Sequence, residues 1–145
     1  MIFSSHSTGF KTRVIMELNK EDYELIDAAR DAISRNYDKA RGLYTVGAAV
    51  RCGSGRIYKG VNLYAIHSAC AEQVALGTAV TNGEREFKTI VAVRGEQGEE
   101  IIPPCGNCRQ ILSDYAPGCE VILLVSGKPQ KFKASELLPY AYITE

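Results

Sequence analysis

Three thiols and one carboxylate, held in two short phrases, limit what this chain can fold into. The phrases are Cys70-Ala71-Glu72 and Pro104-Cys105-Gly106-Asn107-Cys108. Each opens a helix-forming run. Cys70 to Val80 is rich in Ala, Leu and Val and stops near Asn82-Gly83, and Cys105 to Tyr115 is closed by Pro117-Gly118. A thiol at a helix start sits against free N–H groups and the positive end of the macrodipole, which favours the metal-binding thiolate. Cys105 and Cys108 can reach one ion together, and a fold that brings Cys70 beside them makes a three-thiolate site. Three thiolates around Zn²⁺ leave one tetrahedral position open, as a catalytic centre requires. Glu72 need not bind the metal and is free to face that open position as a proton carrier.

Other readings use the same residues. A Cys-x-x-Cys also serves redox pairs and structural zinc knuckles. His67 offers a fourth ligand for a closed structural site, but that reading leaves Cys-Ala-Glu without a purpose. Cys52 and Cys119 stand outside both phrases and read as buried, inert thiols. The five cysteines are odd in number and no apolar secretory core precedes them, so reduced thiols in a cytoplasmic protein are expected.

The 145 residues suit a single domain over 16–145, with residues 1–15 read as a flexible extension. No apolar run is long enough to span a membrane. Seventeen basic residues balance seventeen acidic ones, without the excess that grips a phosphate backbone, so a free small molecule is favoured over nucleic acid. Asn19 followed by Lys20, Glu21 and Asp22 predicts a helix start, and Ile26, Ala29, Ile33 and Tyr37 lie on one face of that helix. Tyr44 to Val50 and Arg56 to Val61 flank Gly53-Ser54-Gly55 as a hairpin. Thr89 to Val93 and Val121 to Val125 read as strands covered on both faces, and Ala134 to Leu138 as a short last helix. This order predicts an α/β fold, a mixed sheet sandwiched by helices.

With those residues placed, the chain resembles the cytidine deaminase family, the zinc-dependent cytidine/deoxycytidylate deaminase superfamily, from about Leu18 to Tyr142. The resemblance rests on Tyr44-Thr45-Val46-Gly47-Ala48-Ala49, Gly60-Val61-Asn62, the two cysteine phrases with Arg109-Gln110, and Glu136-Leu137-Leu138-Pro139. Val61 to Tyr64, Leu76 to Ala79 and Asp114 to Pro117 are most similar to the blasticidin S deaminase branch. The resemblance implies a three-layer α/β/α sandwich and a homotetramer whose active sites are shared between subunits. It implies one Zn²⁺ per subunit on Cys70, Cys105 and Cys108, with Glu72 as proton shuttle. Asn62 is expected to bond a sugar hydroxyl, Tyr44 to pack on the pyrimidine, and the Ala71 N–H to position the ring.

Two positions depart from the family pattern. Tyr64 stands where ordinary cytidine deaminases carry a ribose-binding Glu, and a phenol cannot accept from a hydroxyl as strongly as a carboxylate. The segment from Asn62 to Cys70 is also shorter. Gln73 stands where many relatives carry an Arg that offsets the thiolates, and Arg109 is a candidate to supply that charge. The implied function is hydrolytic deamination of the cytosine ring of a free nucleoside or analogue, of cytidine, deoxycytidine or blasticidin S type, releasing ammonia. Two alternatives are a catalytically silent, zinc-stabilised binding protein of the same fold and a deaminase of another amino-heterocycle.

Overall fold

The structure, a computed structural model, describes residues 17–144. The extension expected over residues 1–15, with Met16, lies outside the described residues. Helix α1 (Lys20–Asn36) begins where the sequence predicts. The Asn19 side chain accepts the Asp22 N–H at 3.0 Å, and the Asp22 carboxylate accepts the Asn19 N–H at 2.9 Å, which closes a capping box. Leu25, Ile26, Ala29 and Ile33 form its buried face. Tyr37, the C-cap, packs partly buried against the same cluster.

Strands β1 (Val46–Cys52), β2 (Ile57–Val61), β3 (Phe87–Arg94), β4 (Glu100–Ile102), β5 (Glu120–Val125) and β6 (Lys128–Lys133) form one sheet. Helices α2 (Ala71–Thr81) and α3 (Gly106–Tyr115) and a 3-10 turn (Ala134–Leu137) complete the described elements. The strand order is β2-β1-β3-β5-β6, with β4 also paired to β3. The β3–β5 pair is parallel and the other pairs are antiparallel. Parallel neighbours need a crossover connection, and α3 lies in the one between β3 and β5. One buried cluster joins α1 to Ala49, Val91, Val93 and Ile122. A second, on the opposite face, joins Ala71, Ala75 and Ala79 of α2 and Leu112 of α3 to Ala48, Val50, Ile90 and Val121. The fold is therefore the expected three-layer sandwich around a mixed sheet.

Two glycines set how closely the layers approach. A Cβ at Gly47 would lie 2.5 Å from the Ala29 carbonyl oxygen of α1. A Cβ at Gly60 would lie 2.5 Å from the Ala75 nitrogen and 2.7 Å from the Ala71 oxygen of α2. Gly60 thus seats β2 directly against the helix that begins at Cys70.

Three expectations are corrected. The first strand starts at Val46, because Tyr44 takes a left-handed φ of 55° that no strand residue adopts. Strands β4 and β6 were not predicted. The first has only three residues, and the second, Lys128-Pro129-Gln130-Lys131-Phe132-Lys133, is an edge strand whose lysines and proline hide its β character.

Candidate metal centre and active site

Both cysteine phrases fold as helix caps. Cys70 is the N-cap of α2, in extended conformation, and its N–H is accepted by the Gln73 side-chain oxygen at 3.2 Å. Gln73, where the sequence departs from the family pattern, is therefore a capping residue. Cys105 is the N-cap of α3, delivered by β4 and the Pro103-Pro104 step. The N–H groups of Asn107 and Cys108 in the first turn of α3 turn toward the Cys105 sulfur.

The sulfurs of Cys70, Cys105 and Cys108 all lie within 4.8 Å of one another, and those of Cys70 and Cys105 are 3.6 Å apart. Sulfurs bound to one tetrahedral Zn²⁺ at ~2.3 Å stand about 3.8 Å from each other, so the spacing suits that ion. Among the described residues the metal-capable cluster contains these three alone, and His67 is outside it. The donor set is three thiols with a fourth position left over.

The thiols differ in acidity. Burial raises Cys105, but the N–H of Cys108, the Cys70 and Cys108 thiols and the N–H of Asn107 outweigh it and hold Cys105 below the ordinary thiol value. Burial raises Cys70, and the Cys105 thiol adds to the rise. Burial and the charge of Glu72 raise Cys108 further. Three thiolates at neutral pH therefore need a cation among them, which is how a metal couples to its ligands' protons. Outside the cluster, burial pushes Cys52 up to about 11 and Cys119 up to about 12, as befits inert core thiols.

Glu72 lies one residue into α2 and is only 5% exposed. Burial lifts its carboxyl above the ordinary range, partly offset by its own backbone N–H and by the Cys108 thiol. A carboxyl so placed exchanges protons nearer neutrality than a solvated one. It lines a cavity of about 330 Å³ with Ala71, Cys70 and Cys105. Val46, Ile102 and Pro103 supply apolar wall, while Asn62 and the exposed Tyr64 and His67 line the same space.

Residues 19–123 match the family model described as the cytidine and deoxycytidylate deaminase zinc-binding region. The chain belongs to the cytidine and deoxycytidylate deaminase family. It is 38% identical over 134 residues to the blasticidin-S deaminase of Bacillus cereus, covering 86% of this chain and 94% of that one. It is 33% identical over 108 residues to the cytidine deaminase of Sporosarcina psychrophila, covering 70% and 77%. The solved cytidine deaminase of Burkholderia pseudomallei superposes with a TM-score of 0.69 at 33% identity, covering 83% of this chain and 98% of that one.

Within this deaminase fold, Cys70, Cys105 and Cys108 form one cluster, and Cys70, Cys105, Glu72, Ala71, Asn62 and Tyr64 line one cavity. Tyr44 does not line the cavity, since its left-handed φ turns the chain before β1 begins. Arg109 makes no hydrogen bond to a thiol. Its Nε donates to the Pro104 carbonyl at 2.9 Å and its Nη1 to the Leu137 carbonyl at 3.2 Å, so it braces the loop before Cys105 against the 3-10 turn. Sequence reasoning missed Val46, Ile102 and Pro103 as wall residues. Only the Pro103-Pro104 pair beside Cys105 marked that stretch as special.

Proposed function

We propose that the protein catalyses hydrolytic deamination of the cytosine ring of a free nucleoside or nucleoside analogue, with one Zn²⁺ held by Cys70, Cys105 and Cys108. The observation that carries this reading is the buried Glu72 carboxyl, held above its ordinary range beside a three-thiol cluster with no fourth protein ligand among the described residues. When bound, the ion supplies Lewis acidity that makes a water molecule acidic and nucleophilic near neutral pH.

The chain's own residues do the rest. Val46, Ile102 and Pro103 hold the ring against the open face of the cluster, and the Ala71 N–H at the start of α2 positions it. Glu72 takes a proton from water and passes it to ring N3 while the water oxygen adds to C4. It then takes the remaining hydroxyl proton and hands it to the amino group. The C4–N bond breaks, ammonia leaves, and C4 becomes a carbonyl. The balance of seventeen basic and seventeen acidic residues favours a free substrate over a polynucleotide. A homotetramer is part of the proposal and is supported by the exposed Tyr140, Tyr142 and Ile143 near the end of the chain.

The test is a direct ultraviolet assay of the zinc-loaded protein on cytidine, deoxycytidine and blasticidin S side by side. Loss of the cytosine chromophore with stoichiometric ammonia from any of them supports the reading. Silence on all three, with zinc bound, overturns it.

A further inference from the structure

The three thiols of the cluster are not held alike. Cys108 is buried within α3, and the Cys70 N–H is capped by the Gln73 side chain. Cys105 is exposed and reaches the cluster from the end of a loop, so its place depends on the two prolines before it. The β3–β4 ladder ends at Ile102, and neither Pro103 nor Pro104 has an N–H to bond. Their rings fix φ, which leaves a stiff step whose direction is set by few dihedrals. Among the described residues one donor holds its last carbonyl: Arg109 Nε, 2.9 Å from the Pro104 oxygen.

The other arm of the same guanidinium reaches a fixed point. Arg109 Nη1 donates to the carbonyl of Leu137, the last residue of the 3-10 turn, at 3.2 Å. That turn is pinned in its own right. The Ala134 N–H donates to the Cys119 carbonyl at 2.8 Å and the Ser135 N–H to the Pro117 carbonyl at 3.1 Å, with Ala134 buried. Arg109 has no carboxylate partner among the described residues, so its charge is spent on strengthening these two bonds to carbonyls. The side chain leaves α3 directly after the ligand Cys108 and ties down the approach to the ligand Cys105. A lysine ammonium is a point donor on a flexible stem and lacks the planar fork that spans both carbonyls.

We infer that Arg109 is a positioning residue of the metal centre: by spanning the Pro104 and Leu137 carbonyls it holds Cys105 where the three sulfurs can share one ion. This rests on the zinc reading of the same cluster and adds to it the residue that keeps the exposed ligand in place. The role belongs to the two-armed shape of the guanidinium rather than to its charge, since both arms go to carbonyls and neither to a sulfur. Without Arg109 the proline step is free to carry Cys105 away from Cys70 and Cys108. An arriving ion must then order the loop as it binds, and that cost is subtracted from its affinity. Groups that orient metal ligands in this way typically change affinity by about 10–100-fold.

The test is the zinc affinity of the full chain, read by competition with a chromophoric chelator, together with the absorption of the Co²⁺-loaded protein, whose thiolate bands follow ligand geometry. Arg109→Ala should bind zinc about 10–100-fold more weakly than the parent, and its Co²⁺ spectrum should shift. Arg109→Lys keeps the charge and one donor but not the fork, and should remain clearly weaker than the parent. Gln110→Leu is the control. It removes the 3.1 Å bond from Gln110 Nε2 to the Tyr142 carbonyl, a second tie between α3 and the segment after the 3-10 turn, and should leave both readings unchanged. Parent-like affinity and spectrum in Arg109→Ala overturn the inference and leave the zinc reading intact. Full recovery in Arg109→Lys overturns it by assigning the effect to charge, and an equal loss in Gln110→Leu overturns it by assigning the effect to the attachment of that segment. Melts of the metal-free proteins keep a folding defect apart: if Arg109→Ala is unfolded without metal, Arg109→Lys against the parent decides. A parent chain that takes up no zinc overturns the zinc reading and the inference with it.

Discussion

The sulfurs of Cys70 and Cys105 stand 3.6 Å apart although 35 residues separate them in the chain. Each caps a different helix, α2 and α3, so an ion bridging them ties the two helices together at their starts. Such an ion binds the folded state and has no preformed site in the unfolded chain, so its binding energy adds to stability. Removing zinc with a chelator should lower the midpoint of thermal unfolding, and restoring Zn²⁺ should raise it again. Cys105→Ser should bind well under one equivalent of zinc and lose that response. Metal analysis and circular-dichroism melts check both.

Glu72 is small enough a part of the core to replace in place. Glu72→Gln preserves shape and burial but cannot carry a proton between water and the ring. We expect it to retain zinc and the far-ultraviolet spectrum of the parent while kcat falls by about 10²–10⁴-fold, the range of a lost general acid–base group. Full turnover in this variant, with zinc bound, would assign the proton transfer to another group.

Gly60 offers a way to disturb the centre without touching it. A Cβ there meets backbone atoms of Ala71 and Ala75, which cannot rotate aside as a side chain could. Helix α2 must move away from β2, and α2 carries Glu72 and starts at Cys70. Gly60→Ala should cost about 1–3 kcal/mol, as overpacked sites do, and should lower kcat per folded molecule as well. Denaturant unfolding with activity measured on the same sample separates the two effects.

Much of this arrangement was legible because its signals are local. The Asn19–Asp22 capping box, the two cysteine phrases at helix starts and the covered strands β3 and β5 each depend on neighbours in sequence. What was not legible depends on distant partners or on one dihedral. Tyr44 lies in a run of β-formers, yet its left-handed φ removes it from the strand and from the cavity wall. Arg109 bonds carbonyls 5 and 28 residues away, and no spacing rule foretells either. His67 reads from spacing as a spare ligand, whereas the closed turn of 64–68 sets it at the cavity outside the thiol cluster.

Away from the centre, Lys131 on β6 pairs with Asp22 on α1 at 3.0 Å and with Glu120 at 3.4 Å. The Lys131 and Asp22 side chains are only 8% and 5% exposed. Burial alone pulls the ammonium's pKa down, but the Asp22 hydrogen bond and the charges of Asp22 and Glu120 outweigh it and hold Lys131 above the ordinary lysine value. A raised folded-state pKa means the folded chain keeps this proton longer than the unfolded one. Its stabilisation is therefore complete below the ordinary lysine pKa of about 10.4 and is lost as pH rises through the higher folded value. Lys131→Met strands a buried carboxylate and should cost about 3–5 kcal/mol at neutral pH. Asp22→Asn combined with Lys131→Met removes the stranded charge and should recover part of that loss, since the amide oxygen can still accept the Asn19 N–H that closes the cap. Denaturant titrations of the parent and both variants, at neutral pH and again above the lysine range, check the sign. The gap between parent and Lys131→Met should narrow at the higher pH, and a constant gap would mean that the Lys131 charge contributes nothing.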